Sequence, residues 1–445
     1  MTQRIRIWAL QLAAATTLLS SGGAWAQIKI GVVLSATGPA ASLGIPERNA
    51  VALMPREIAG KKVEYIVLDD GSDTTTAVKN TRKLISENKV DVIIGSTVTP
   101  NSLAMISVAA EAETPMISMS AAAAIVEPMD PRRSWIFKTP QSDSLMASAV
   151  VDNMAANKVK TVAFIALSDS YGQNWWVQAS KLFEQKGIKV LANEEYGPTD
   201  ASVTGQVLRM VAGRPDAVLI ASRGTPAVLP QKSLKERGYA GRIYQTHGVA
   251  NSDFLRLGGK DVEGTLLPAG PLLVAEQLPD SNPIKKTAMQ FKTIYENEFG
   301  AGSVSTFAGH AWDAGLMLEA AVPDALKKAQ PGTKEFRKAL RDTIENVHDL
   351  VISQGVMTMS KTDHSGLDQR ARLIVKVENG KWLLSCPPFQ RSCAVQASSL
   401  TKSRPSSPRS YSTSVAETGP PAKRSKSDWQ INAMPCGVPA KAKNG

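Results

Sequence analysis

The sequence predicts an α/β fold made of two parallel-sheet lobes, and three observations carry that prediction. Short apolar runs alternate with amphipathic stretches from Ile28 onward, and the same rhythm starts again after Gln141. The body carrying this rhythm is also longer than one hydrophobic core usually holds.

The first half reads, in order, IKIGVVL, a helical pattern over 46–58, KVEYIVLDD, a helix over 74–87, DVIIG, a helix over 101–113, and PMISM. Val/Ile-rich runs set between helical periods are the pattern of strands buried on both faces of a parallel sheet. After Gln141 come a helix to Asn157, TVAFIAL, a helix over 173–186, IKVLA, a helix over 201–211, DAVLIA, a helix over 227–237, and RIYQT. Two wound, Rossmann-like sheets in sequence follow. Beyond Gly264 the order changes, because three helical stretches in a row (284–299, 306–328 and 335–347) precede the short strands ARLIVKV and KWLL. Crossings between the lobes are expected at Thr139-Pro140, near Pro268 and near Gln354. Lobe 1 then comprises 27–139 and 269–353, and lobe 2 comprises 140–268 and 354–385. Three crossings make a hinge, and ligands of such sheets bind outside the carboxyl ends of the strands.

The two ends read differently. Arg4 and Arg6 precede an apolar run over 7–19 and a small-residue stretch ending in Ala24-Trp25-Ala26, the pattern of a cleaved secretory signal over 1–26. Its apolar core of about 13 residues falls short of the ~20 needed to span a bilayer. No Cys follows the cleavage site to take a lipid, so a soluble mature chain beginning at Gln27 and placed in the periplasm is expected. Residues 386–445 hold nine Lys and Arg against Glu417 and Asp428, and runs such as KSRPSSPRSYSTS and GPPAKRSKS. That composition cannot bury enough apolar surface to offset its ordering entropy, so a disordered basic tail is expected. A partner-binding arm and a reading-frame slip near Leu384 are the alternatives.

The net charge of +11 suggests nucleic acid, but the tail supplies +7 of it and the leader +2. The remaining body is close to neutral, so no nucleic-acid partner is expected. All three cysteines (Cys386, Cys393, Cys436) lie in the tail, which leaves a body without thiols in an oxidising compartment. Cysteine nucleophiles are thereby excluded from the body. No G-x-G-x-x-G, P-loop, G-x-S-x-G or H-E-x-x-H occurs, and His247, His310, His348 and His364 are dispersed, so no enzyme, metal site or cofactor is expected. The adjacent Asp69 and Asp70 sit at a strand end and point to opposite faces, which suits a strand terminus better than an acid/base pair.

Several segments in order (IKIGVVLSATGPAASLG, VLDDGSD, IIGSTVTPNSLA, PMISMSA, DSYGQN and GVAN) resemble the periplasmic branched-chain amino-acid-binding proteins, over roughly 28–384. The resemblance implies a type I periplasmic binding fold, a monomer that closes on a small ligand, and docking to an ABC permease in the inner membrane. It places the ligand-carboxylate site on Thr99 and the backbone around Ser120, facing the start of the helix at Asn101, where helix N-terminal donors favour anions. Capping by Thr99 and Asn101 is the plainer alternative. Tyr171 falls on the family's stacking tyrosine, and a partly buried amphipathic tyrosine is its alternative.

Three positions depart from the family. Its aromatic residue in the first loop is here Leu43, its threonine after PMIS is Ala122, and its acidic residue before GVAN is His247. A buried ammonium without an acidic partner is strongly disfavoured, so an amino acid would be poorly served unless Asp143 or Asp169 substitutes. Arg223, after DAVLIA, adds a cation near the cleft, or else a solvated loop charge. The expected ligand is a small carboxylate, with an aromatic or other organic acid ahead of a branched-chain amino acid. Transport is the leading function, and a periplasmic sensor of the same fold feeding a membrane receptor is the alternative.

Overall fold

The computed structural model of the protein describes residues 27–385. The leader over 1–26 and the tail over 386–445, with the expectations attached to them, lie outside the described residues.

The first half supplies β1 (Ile28–Leu34), α1 (Ala41–Leu53), β2 (Glu57–Ile58), β3 (Lys61–Asp69), α2 (Thr74–Ser86), β4 (Val92–Gly95), α3 (Thr99–Glu111), β5 (Met116–Ser118) and β6 (Ile136–Lys138). These strands form one sheet in the order β2-β3-β1-β4-β5-β6, parallel except where β2 pairs with β3. Every residue of β1 except Lys29 is buried, as a central strand covered on both faces requires. Ile28, Ile30, Val32 and Leu34 face one core and Val33 the other, the period of two that a strand imposes. β6 does not read as a strand in sequence, because three residues followed by Thr139-Pro140 carry no period. Its parallel register with Met116–Ser118 makes it one.

The second run supplies α4 (Asp143–Ala156), β7 (Thr161–Leu167), α5 (Ser170–Gln185), β8 (Lys189–Tyr196), α6 (Thr204–Ala212), β9 (Ala217–Ala221), α7 (Val228–Glu236), β10 (Arg242–Gln245), α8 (Ser252–Gly258) and β11 (Leu266–Ala269). Phe164 of β7 and Phe183 of α5 are almost fully buried in the core between α4, α5 and the sheet. Each contributes about 1.5–3 kcal/mol relative to exposure.

The chain then returns to the first sheet. α9 (Lys285–Phe299), α10 (Thr306–Leu326) and α11 (Lys334–Ile344) pack against the core of β1 and α1, joined by the hairpin β12 (Leu350–Ile352) and β13 (Gly355–Met357). Finally β14 (Leu373–Glu378) and β15 (Lys381–Leu384) close the second sheet, whose order is β15-β14-β11-β10-β9-β7-β8. β14 and β15 add antiparallel, and the other five strands are parallel. The residues after Gln354 stay with the first sheet for longer than their position suggests. Met357 and Met359 pack in the core of β1 and α1, and the His364 carbonyl accepts the Lys138 N–H.

In the first half two helix starts differ from the sequence reading for local reasons. α1 runs over Ala41–Leu53 instead of 46–58, and stops at Met54 in an extended conformation because Pro55 follows. α3 begins at Thr99 rather than Asn101, since Pro100 fits the first turn, where its missing N–H has no helical partner to lose. Its N-cap is Val98 and no side chain caps it, so the alternative reading of Thr99 and Asn101 as helix caps does not hold.

Candidate functional site

Loops at the carboxyl ends of both sheets face one another, as the doubly wound topology dictates. Those of the first sheet are held by a buried network around Asp70, which accepts the Ser35 hydroxyl at 2.7 Å and the Ser96 hydroxyl at 2.6 Å. Its neighbour Asp69 turns the other way and accepts N–H groups of Ala36 and Gly71, each at 2.9 Å. Both carboxylates therefore organise loops. Gly95 is required at its place, because its φ is +140° and a Cβ there would lie 2.1 Å from the Val33 carbonyl oxygen.

Between the two sets of loops lies a narrow, nearly closed cleft. One side is formed by Leu43, Thr97, Thr99, Met119, Ser120, Ala121 and Pro140, and the other by Tyr171, Arg223, His247 and Gly248. Phe307 and His310 of α10 complete it. The two halves touch beyond it: a Cβ on Gly224 would lie 3.0 Å from the Ser42 hydroxyl oxygen.

Six of the sequence candidates meet here, namely Leu43, Thr99, Ser120, Tyr171, Arg223 and His247, and two do not. Asn101 is fully buried one turn into α3, and neither amide atom has a hydrogen-bond partner. Ala122 packs in the core beneath β4 and β5. Ser120 lines the cavity, but its N–H already donates to Ser118 Oγ at 3.1 Å and its hydroxyl to the Ser96 carbonyl at 3.0 Å. Its backbone N–H is thus committed, contrary to the expectation of a free anion donor there. Thr99 Oγ1 is buried without a partner.

On the opposite wall, the Tyr171 hydroxyl donates to Thr246 Oγ1 at 2.8 Å, and Thr246 in turn donates to the Ser222 carbonyl at 2.7 Å. The ring is therefore fixed, and burial pushes its phenol well above the ordinary range. Arg223 Nη2 pairs with Asp169 Oδ2 at 2.7 Å, while Nη1 is buried and unpartnered. Asp169 also accepts the Tyr171 N–H at 2.9 Å as N-cap of α5, so it is not free to hold a ligand ammonium.

His247 lies edge-on to Tyr171, with ring centroids 6.5 Å apart, and its Nδ1 has no partner. Burial, reinforced by the positive Lys138, pushes its pKa down to about 3, so the ring is neutral at neutral pH. Behind it, Asp143 Oδ1 lies 3.7 Å from His247 Nε2, and Asp143 Oδ2 accepts from Asn174 at 2.6 Å. Asp143 is fully buried and does not line the cavity. Burial lifts its carboxyl to about 7 against the lowering effect of Lys138, and burial lowers Lys138 to about 8 against the raising effect of Asp143.

Sequence reasoning missed Phe307, His310 and Lys138. Burial holds His310 well below the ordinary histidine range, and the positive Lys138 acts in the same direction. The available signal for it was the small residues Ala308, Gly309 and Ala311 around a lone histidine, which let a helix approach the loops closely. Among the described residues no group of His, Cys, Asp or Glu is placed to hold a metal ion, and no helix is long and apolar enough to cross a membrane.

Two wound sheets with a lined cavity between their facing loops define a protein that encloses a small ligand. The family model described as periplasmic binding protein matches residues 27–381, and the chain belongs to that family. It is a family of binding proteins, not of enzymes, and the fold is type I. An extracellular ligand-binding receptor from Rhodopseudomonas palustris HaA2 is 47% identical, with a TM-score of 0.79 over 81% of this chain and all of that one. The leucine-, isoleucine-, valine-, threonine- and alanine-binding protein of Pseudomonas aeruginosa is 25% identical over 54% of this chain and 65% of its own length. An ABC transporter solute-binding protein from R. palustris in complex with benzoate shares the fold, with a TM-score of 0.68 and 19% identity over 80% of this chain and 95% of that one.

Proposed function

We propose that this protein is the periplasmic solute-capturing component of an ABC importer, closing two lobes on a small organic acid that lacks an α-amino group. One observation carries the ligand class. The buried polar atoms without partners on the cavity wall (Thr99 Oγ1, Arg223 Nη1, His247 Nδ1 and His310 Nδ1) include a guanidinium donor and no carboxylate oxygen. Such a wall suits a carboxylate, while the unpartnered carboxylate oxygens nearby, Asp143 Oδ1 and Glu47 Oε1, stand behind His247 and Thr97 and do not line the cavity where an ammonium would sit. Leu43, Met119, Pro140 and Phe307 supply apolar surface for an aromatic or aliphatic body. The amino-acid-binding relative from P. aeruginosa and the benzoate complex mark the two ligand classes to be separated.

The lobes of this reading are 27–139 with 269–353, and 140–268 with the end of the body. The third crossing of this reading lies near Gln354, with 354–385 joining the second lobe, and Met357 and His364 after it still touch the first half. Export through the leader, action as a monomer and docking to an inner-membrane permease belong to the same proposal. Calorimetry with benzoate, phenylacetate, 3-phenylpropionate and hexanoate, set against leucine, isoleucine and valine, tests it. Binding of at least one acid at micromolar concentration with no heat from the amino acids is expected. Micromolar leucine binding without response to any of the acids overturns the ligand class.

A further inference from the structure

We propose that the cavity prefers an acid that also carries a hydroxyl group, that this hydroxyl donates its hydrogen bond to Nδ1 of His247, and that Asp143 sets the preference by fixing the imidazole tautomer. The inference rests on the carboxylate reading above and adds a second polar contact to it. A neutral imidazole has one N–H donor and one bare acceptor nitrogen, and the partner of one nitrogen decides the role of the other. At His247 that partner is Asp143, whose Oδ1 has no hydrogen bond and lies 3.7 Å from Nε2. The other oxygen, Oδ2, accepts from Asn174 at 2.6 Å, and the Lys138 ammonium and the Trp175 indole act on the same carboxyl against the effect of burial. A bare Nε2 would set its lone pair against those of Oδ1, whereas an Nε2–H aims a donor at an oxygen that lacks one. The proton therefore sits on Nε2, and Nδ1 is an acceptor.

His247 lines the cavity while Asp143 stands behind the ring, so Nδ1, on the edge away from Asp143, belongs to the cavity side. It is buried, and no group among the described residues donates to it. A buried acceptor without a donor is costly, which makes it a selective feature of the wall. The ligand carboxylate cannot meet it, because a carboxylate brings only acceptor atoms. An ammonium brings a donor together with a full charge that a neutral imidazole does not offset. A hydroxyl brings the donor without the charge. The carboxylate keeps its own donor, the unpartnered Nη1 of Arg223. Both contacts lie beside the Tyr171 ring, with the guanidinium carbon 5.4 Å and the His247 ring centre 6.5 Å from its centroid, so one small molecule spans them.

Calorimetry of the full chain with matched pairs of acids reads the preference directly. The pairs are 4-hydroxybenzoate with benzoate, 4-hydroxyphenylacetate with phenylacetate, 3-(4-hydroxyphenyl)propionate with 3-phenylpropionate, and 6-hydroxyhexanoate with hexanoate. In at least one pair the hydroxylated acid is expected to bind about two- to twelvefold more tightly, the effect of one hydrogen bond. Its methyl ether, which keeps the oxygen and loses the donor, should lose that advantage, and in His247→Phe the ratio within the pair should fall to about one. Nuclear magnetic resonance of isotope-labelled histidine, with the His247 signals assigned by their absence from His247→Phe, should show a bare Nδ1 and a protonated Nε2, and both tautomers in Asp143→Leu. A protonated Nδ1 in the unmodified protein, or binding of some acid with no hydroxylated partner more than about twofold tighter, overturns the proposal. A hydroxyl advantage that survives in His247→Phe overturns the assignment to this residue. Should either variant fail to fold, the acid pairs, the methyl ether and the tautomer of the unmodified protein decide the matter. Failure of every acid to bind, hydroxylated or not, strikes instead at the carboxylate reading.

Discussion

Replacing Arg223 by Leu tests the site at the atom that distinguishes it. Nη1 of Arg223 is buried on the cavity wall without a partner, while Nη2 is occupied by Asp169. Leucine keeps the apolar contact that the arginine stem makes and removes the charged donor. A hydrogen bond to a charged group contributes about 1.5–3 kcal/mol, so benzoate affinity should fall about 10- to 150-fold. Asp169 loses its cation in the variant but keeps the N–H groups of Tyr171 and Gly172, at 2.9 and 3.3 Å, so α5 remains capped and the fold persists. Arg223→Lys, which retains the charge but not the fork, should recover part of the loss. Isothermal calorimetry measures affinity, and thermal melting of the unliganded variant checks the fold. A change in benzoate affinity below about threefold in a folded Arg223→Leu protein would refute the assignment of this guanidinium to the ligand, since it lies under the smallest loss worked out above.

Three further expectations follow from the same reading. His247→Glu places an acid on the cavity wall beside Asp143, and should weaken benzoate binding at least about tenfold through like-charge repulsion, with leucine heat as the measure of any restored ammonium site. Truncation after Ser385 should leave the melting temperature and benzoate affinity unchanged, because the tail composition cannot support a core; a drop of several degrees would show otherwise. Small-angle scattering of the truncated protein should give a smaller radius of gyration at saturating benzoate than without it, since a ligand held by both lobes shifts the population toward closure.

The pattern of apolar runs determined the fold class by itself. A parallel strand buried on both faces must be apolar throughout, and a helix covering it must be amphipathic, so β1, β7 and β9 and the helices between them are legible from local composition alone. The resemblance pointed to Leu43, Thr99, Ser120, Tyr171 and His247, and the loop after DAVLIA to Arg223, and the topology brings all six to one cavity. Tertiary structure decided what those residues are free to do. Whether Ser120 offers an N–H depends on Ser118 and Ser96, and whether Arg223 is a solvated charge or an aimed donor depends on Asp169, some fifty positions away. His310 enters the site from a helix more than sixty positions beyond His247 in the chain, and Lys138 and Asp143 meet because one ends a strand where the other begins a helix. Periodicity reports which face of an element is buried. Which polar atoms remain unpaired once everything is packed, and therefore what the cavity can hold, is set by partners distant in sequence and is known only when the chain has folded.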